Sequence, residues 1–107
     1  MDRIAKALIY IEQHLFEDIH LKDIANHVGY SREHFCLYFR VNTGVGFWKY
    51  ISSKRIEKAC ELLENSEMSV KNIAYYCGFN DSSTFCTVFK RVTGKRPGEI
   101  REKGDRR

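Results

Sequence analysis

Apolar side chains recur along the chain at steps of three and four residues, which is the spacing of an α-helix. Ile4, Leu8, Ile11 and Leu15 show this pattern in the first segment. No strand-like alternation bounded by hairpin turns interrupts it, and we therefore expect an all-α fold. The pattern predicts about seven helices, over roughly 3–16, 21–28, 31–42, 46–64, 69–77, 81–92 and 97–102.

Residues that favour helix ends stand where these segments meet. Ser31, Ser69 and Asp81 can cap helix N-termini with their side-chain oxygens. Gly44 and Gly94 can end the third and sixth helices in the left-handed conformation. Inside the helices, Val92 is expected to face the core with Phe85, Val88 and Phe89, Trp48 to anchor packing, and Cys60 and Cys77 to fill small core spaces.

One sequence pattern occurs twice in the chain. Lys22, Ile24, Ala25 and Gly29 match Lys71, Ile73, Ala74 and Gly78 at an offset of 49 residues. One inserted residue then raises the offset to 50, which aligns three further pairs: Phe35 with Phe85, Phe39 with Phe89, and Gly44 with Gly94. Each copy reads as a short helix, a tight turn at glycine and a capped second helix, which is the layout of a helix-turn-helix. Two copies separated by a long helix of different pattern fit a stacked solenoid poorly.

Charge is distributed unevenly around these two copies. The net charge is only +4, but residues 1–30 are acidic overall, whereas residues 31–60 and 90–107 are basic. Clustered positive charge can attract phosphates, although solvated helix faces would have the same composition.

Several other classes of protein are disfavoured. The N-terminal segment carries charges among its apolar positions, unlike a signal peptide, and no apolar run approaches the roughly 20 residues of a spanning helix. The four cysteines form no C-x-x-C pair, and the histidines share no ligand spacing, so we expect no metal and no cofactor. We find no nucleophile–base pair, phosphate loop or carboxylate dyad, and enzyme activity is not expected.

The outward faces of the third and sixth helices have the character of a groove-reading surface. At 100° per residue, Glu33, Leu37 and Arg40 point away from Phe35, and Ser83, Thr87 and Lys90 point away from Phe85. Such side chains are small, hydrogen-bonding or basic. They could enter a DNA major groove, which is about 12 Å wide.

These residues resemble the DNA-binding domain of the AraC/XylS transcription regulators. The most specific stretch runs from Ile73 through "CGFNDSSTFCTVFKRVTGKRPGEIR", and "RIEKACELL" (55–63) resembles the linker helix of that family. The resemblance implies one domain over 1–107. It would contain a helix-turn-helix unit over about 4–43, a linker helix over about 46–64 and a second unit over about 69–103.

The resemblance also implies how the domain works. Two recognition helices, roughly 31–42 and 81–92, would enter successive major grooves of double-stranded DNA, about 34 Å apart. The base-reading positions would fall on Glu33, Cys36, Leu37, Ser82, Ser83, Thr84 and Thr87. Phosphate contacts would fall on Arg32, Arg40, Lys90 and Arg91, with Lys54, Lys95 and Arg96 in supporting positions.

Two departures from the family pattern affect the expected DNA site. Many relatives carry arginine where this chain has Leu37 and Thr87, and arginine is the strongest reader of guanine. Leu37 could instead pack on a thymine methyl group, and Glu33 could accept a hydrogen bond from cytosine N4. The second unit could also act mainly on phosphates and add little sequence information.

We therefore expect a bacterial, cytoplasmic and nucleoid-associated transcription regulator, with activation through RNA polymerase favoured by the resemblance. The chain could be the C-terminal output module of a longer regulator or a free-standing regulator, and the first is preferred because no small-molecule pocket is evident. The isolated domain is expected to be monomeric, and a full-length protein could dimerise through another domain. A helical adaptor that binds only protein is the alternative from a different class.

Overall fold

The structure is a computed structural model that describes residues 2–105, with side chains described as far as Glu102. Arg106 and Arg107, which the sequence places in the basic C-terminal segment, lie outside the described residues. The described part of the chain forms seven α-helices and no strands, so the predicted all-α class is confirmed. The helices are α1 (Arg3–His14), α2 (Leu21–Val28), α3 (Arg32–Thr43), α4 (Phe47–Asn65), α5 (Val70–Tyr76), α6 (Ser82–Thr93) and α7 (Pro97–Asp105).

The chain divides into two compact units, with the boundary after Ile51. The first unit contains α1 to α3 and the first residues of α4, and the second unit contains the rest of α4 with α5 to α7. The division therefore falls within the helix that the family resemblance implies to be a linker.

The core of the first unit is built around Phe35 and Phe39 of α3, both fully buried. Phe47, at the start of α4, meets both rings edge-on, with centroid distances of 5.4 Å to Phe35 and 5.6 Å to Phe39. Buried side chains from α1 and α2, among them Ile11 and Ile24, complete this cluster. Truncating a fully buried phenylalanine typically costs about 3–5 kcal/mol, so these rings fix α3 in place.

The second unit repeats this aromatic arrangement. Phe85 and Phe89 of α6 are fully buried, with ring centroids 5.5 Å apart. Phe79, from the turn before α6, meets Phe85 edge-on at 5.3 Å. Further buried apolar side chains of this unit come from α4, from α5 and from the residue that caps α5: Ile56, Ala59, Leu63, Ile73, Ala74 and Cys77.

The predicted caps and turns are present in both copies. Ser31 Oγ accepts the backbone N–H of His34 at 3.1 Å, and Asp81 Oδ1 accepts that of Thr84 at 2.7 Å. Gly29 and Gly78, the glycines of the two predicted tight turns, adopt φ values of +83° and +94°, in the left-handed region that glycine enters at little steric cost.

A repeated threonine makes hydrogen bonds at the C-terminal ends of α3 and α6. The Thr43 hydroxyl lies 2.8 Å from the Phe39 carbonyl and accepts the Val45 N–H at 3.3 Å. Thr93 makes the equivalent contacts, at 2.9 Å to Phe89 O and 3.1 Å from the Lys95 N–H. The repeated Thr-Gly pair thus binds the last helical turn to the loop that follows.

Arg101 of α7 holds the far end of α4 and the loop after it. Its guanidinium donates to the carbonyls of Leu63 at 3.3 Å and Ser66 at 3.0 Å, and to that of Met68. Carbonyls at a helix C-terminus have no partner within the helix, and a cation placed there is favourable. The closing arginine of the sequence motif therefore has a structural role.

Three expectations about packing are not met. Val92 is 41% exposed because it lies beyond Phe89 in the last turn of α6, and the matching residue of α3, Asn42, is also exposed. Trp48 is 50% exposed since its neighbour Phe47 occupies the core position, and the indole packs beside that ring at 4.8 Å. Cys60 is only partly buried, whereas Cys77 is buried as expected.

The two turn glycines differ in their surroundings, which leads to a prediction. A Cβ atom on Gly29 would meet nothing within 4 Å, whereas one on Gly78 would lie 3.0 Å from the Arg55 guanidinium. Alanine at either position pays backbone strain of about 1–2 kcal/mol. We expect Gly78→Ala to lower the free energy of unfolding by about 1 kcal/mol more than Gly29→Ala, as overpacking does.

Urea denaturation of the two variants measures this difference. In an Arg55→Ala background the excess cost of Gly78→Ala should disappear, because the crowding group is gone. An unchanged excess in that background would show that Arg55 is not its cause.

Candidate nucleic-acid interface

The outward face of α3 is set by the two buried phenylalanines on its inner side. Glu33, Leu37 and Arg40 are all exposed there, as predicted from the helical angle, and the Leu37 side chain is 63% exposed. Arg32, in the first turn, is also exposed. The outward side of this helix thus presents an acidic, an apolar and two basic side chains to the surroundings.

Cys36 lies at the edge of this face and is partly buried. It lines a shallow surface depression of about 330 Å³ together with Leu21, Arg32 and Glu33. The structure therefore brings together three of the predicted DNA-contacting residues of the first unit, Arg32, Glu33 and Cys36.

The outward face of α6 is more polar and more basic. Ser83, Thr84 and Thr87 are exposed and Ser82 is partly buried, while Lys90 and Arg91 follow in the last turn. No acidic residue occurs within α6 (Ser82–Thr93). The positive charges of Lys90 and Arg91 are therefore not balanced by any carboxylate within α6 itself.

Hydrogen bonds within α6 already engage some of these hydroxyl groups. Thr87 donates its hydroxyl proton to the Ser83 carbonyl at 3.1 Å, and Thr84 donates to Asp81 Oδ2 at 3.2 Å. In this arrangement the Thr87 oxygen is left as an acceptor, with its methyl group beside it. Such a group can accept from an exocyclic amine or contact a thymine methyl.

An open groove of about 900 Å³ runs beside α6 in the second unit. Thr87, Lys90 and Arg91 line one part of it, and Arg96, just before α7, lines it as well. Glu99 and Glu102 of α7 also line the groove, so its positive charge is partly balanced. Glu99 and Glu102 were not among the predicted site residues, although both lie in the segment predicted to form the seventh helix.

The remaining predicted phosphate contacts are more dispersed. Lys54 lies on α4 and is paired with Glu57 at 3.4 Å. Lys95 and Arg96 are exposed in the connection between α6 and α7, where the Arg96 backbone N–H donates to Glu99 at 2.8 Å. Several predicted site residues line neither of the two depressions described above: Leu37, Arg40, Lys54, Ser82, Ser83, Thr84 and Lys95.

One exposed residue on the outward face of α3 was not among the predicted site residues. Val41 is 73% exposed, one turn after Leu37 on the same side of α3. The helical angle places it only about 40° from Leu37, so the sequence pattern did contain the signal.

Two cysteine thiols have pKa values that their surroundings raise. Burial raises the pKa of the Cys77 thiol to about 11, and burial together with Glu64 and Glu57 raises the pKa of Cys60. Among residues 2–102, no three His, Cys, Asp or Glu side chains come together as metal ligands. None of the helices in this described region combines the length and apolar character needed to cross a bilayer.

Comparison with known proteins finds a matching family model and similar transcription regulators. A family model described as a helix-turn-helix domain matches residues 24–103. The regulatory protein PocR of Salmonella typhimurium is 37% identical over 100 residues, which are 94% of this chain and 33% of that protein. The chain thus spans about a third of that relative, and only 14% of a similar transcriptional regulator from Staphylococcus aureus.

Two solved structures resemble the whole fold. The DNA-binding domain of AdpA, a global transcriptional factor solved in complex with a target DNA, is 29% identical with a TM-score of 0.90, covering 96% of this chain and 93% of that one. The C-terminal domain of AraT, a response regulator from Geobacillus stearothermophilus, is 27% identical with a TM-score of 0.91, covering 96% and 86%.

The N-cap carboxylate of α6, Asp81, leads to a prediction about how the stability of the fold changes at acid pH. The backbone and hydroxyl hydrogen bonds from Thr84 lower the pKa of Asp81. A carboxylate with a lowered folded pKa stabilises the fold fully above its unfolded value of about 3.9, and this contribution is lost as pH falls through the folded value. We expect Asp81→Ser, which copies the cap of α3, to remove this part of the acid dependence.

Thermal unfolding between pH 6 and pH 2.5 measures the effect. The wild-type protein should lose more of its melting temperature below pH 4 than the Asp81→Ser variant does, with Ser31→Asp as the reciprocal control. Parallel curves for wild type and Asp81→Ser would contradict a charged cap at this position.

Proposed function

The chain is a DNA-binding domain of the AraC-type helix-turn-helix family of transcription regulators, and from that premise we propose that it recognises double-stranded DNA sequence-specifically through α3 and α6. Each helix would enter a major groove with its outward face. Base contacts are assigned to Glu33, Cys36, Leu37, Ser82, Ser83, Thr84 and Thr87. Phosphate contacts are assigned to Arg32, Arg40, Lys90 and Arg91, with Lys54, Lys95 and Arg96 in support.

The observation that carries this proposal is the repeated construction of the two helices. In both, two fully buried phenylalanines hold the inner side, and the outer side is left exposed with apolar, acidic and basic side chains on α3 and hydroxyl and basic side chains on α6. A helix rigidly held in this way can enter a groove about 12 Å wide with defined side chains towards the base edges. The AdpA domain, which shares this fold, was solved on its target DNA, and this supports the same partner here.

The exposed basic and acidic side chains indicate how each helix would contribute to DNA binding. Lys90 and Arg91, in the last turn of α6, stand where they would meet the phosphate backbone beside the groove. Glu33 carries a charge of the opposite sign, which phosphates repel. A carboxylate at this position is suited to accept from cytosine N4.

The chain would act as the output module of a longer regulator. It spans a minor part of the regulatory proteins that it resembles, and AraT, whose C-terminal domain has this fold, is a response regulator. The isolated domain would be monomeric in the cytoplasm, associated with the nucleoid through DNA, and would promote transcription by contact with RNA polymerase. A domain of this kind performs no catalysis.

Selection of bound duplexes from a random pool tests the proposal. We expect two conserved sequence blocks about one helical turn apart, and a fall in affinity of about three decades between 50 and 200 mM salt for roughly six phosphate contacts. Lys90→Gln and Arg91→Gln should each reduce the salt slope by about one, because each removes one phosphate contact.

A charge-matched control separates local contact from net charge. Lys6 is exposed on α1 in the first unit, and Lys6→Gln should leave the salt slope nearly unchanged. Binding to no duplex, or binding that is flat across the salt range, would contradict the proposal and favour a protein-binding adaptor.

A further inference from the structure

The outward face of α3 carries two large apolar side chains that the core does not use. Leu37 is 63% exposed and Val41 is 73% exposed, and they are separated by one helical turn. We call this pair the Leu37–Val41 strip. On the opposite side of the same helix, Phe35 and Phe39 are fully buried, so the strip cannot turn inward without expelling both rings.

The strip has no counterpart in the second unit. The repeat aligns Leu37 with Thr87 and Val41 with Arg91, and both of these residues are exposed on α6. The two helices share their buried phenylalanines, their terminal threonine and their C-cap glycine. The apolar character of these two positions is therefore specific to α3 and is not required by the shared fold.

We infer that the Leu37–Val41 strip reads thymine, by packing the two side chains against the 5-methyl groups of thymines in the major groove. This inference rests on the proposed function and assigns a specificity to its first unit. The thymine methyl is the apolar group that a base pair presents in the major groove, and apolar side chains are its natural contacts.

The spacing of the strip determines which thymines it can reach. Side chains four residues apart on a helix have Cβ atoms about 5–6 Å apart. Successive bases of one strand rise by about 3.4 Å. The strip would therefore contact two thymines in neighbouring or next-but-one base pairs, so the half-site of the first unit should contain closely spaced A·T pairs.

The surrounding charges favour DNA over an apolar protein partner. Arg40 lies about 60° from Leu37 around the helix and is exposed, and Arg32 is exposed in the first turn. Two cations beside an apolar strip complement a groove whose edges are phosphates and whose floor carries methyl groups. Glu33, one turn before Leu37, would meet an exocyclic amine at the next position along the same face.

Replacement of thymine by deoxyuridine tests the inference, since it removes only the methyl group. Starting from a duplex selected by the protein, each thymine of the first unit's half-site is replaced in turn, and the dissociation constant is measured. We expect two replacements each to weaken binding about three- to five-fold, the effect of losing one buried methyl contact. Leu37→Ala should abolish the sensitivity at one of these positions and Val41→Ala at the other.

Matched variants separate this contact from general weakening. Val41→Thr keeps the branched shape but replaces a methyl with a hydroxyl, and it should reduce the sensitivity to deoxyuridine. Thr87→Ala, at the aligned position of α6, should weaken binding through the second unit, but the fold-loss that deoxyuridine causes in the first half-site should stay the same as in the wild-type protein. Because both strip residues are exposed, the variants should fold, and their melting curves check this.

The outcomes distinguish the two levels of the proposal. Failure to bind any duplex would overturn the proposed function and this inference with it. Tight, salt-dependent binding with no response to deoxyuridine, or a response that survives in both alanine variants, would overturn the inference alone. Wild-type self-association that both alanine variants abolish, with DNA preference unchanged, would assign the strip to a contact between protein copies instead.

Discussion

The rotation of α3 and α6 about their own axes is fixed by two phenylalanines in each helix, spaced four residues apart and fully buried. Turning either helix by one residue would swing these rings by 100° towards solvent, and exposing one such ring costs about 1.5–3 kcal/mol. The residues that face outward are therefore a consequence of this burial. Everything inferred about DNA contacts depends on it.

The two units conserve their scaffold and vary their surface. The buried phenylalanines, the threonine that bonds the last turn, and the left-handed glycine after it occur in both copies. The exposed positions differ, with Leu37 and Val41 of α3 against Thr87 and Arg91 of α6. A fold that fixes helix orientation by its interior leaves the exterior free to change, so one scaffold can support two different readers.

Much of this architecture could be predicted because its signals are local. Caps such as Ser31 and Asp81 and the C-terminal glycines mark helix ends within two residues of the observed bounds. Contacts between distant residues could not be read in this way. The Arg101 bonds to carbonyls 33 to 39 residues earlier depend on where α7 packs, and the sequence shows only that an arginine closes the motif.

Apolar periodicity also fails to predict burial where a helix extends beyond the core. Val92 continues the apolar pattern of α6 but is exposed, because the last turn has no partner layer at that position. For the candidate site, the helical angle gave the outward residues. Val41 lies on the same side of α3 but was not among the predicted site residues. The groove beside α6 could not be foreseen, since it joins residues of α5, α6 and α7.

The different surfaces of the two readers imply different free-energy terms in binding. Lys90 and Arg91 of α6 would act through phosphates, which supplies affinity for any duplex and is weakened by salt. The apolar strip and Glu33 of α3 act only at contact distance, where a wrong base leaves a methyl-sized gap or an unpaired carboxylate. If each helix binds as proposed, Arg32 and Arg40 of α3 and Lys90 and Arg91 of α6 supply the non-specific attraction, whereas the strip, Glu33 and the hydroxyl groups of α6 supply the discrimination. Such a division lets a domain of 107 residues search along DNA and still stop at one site.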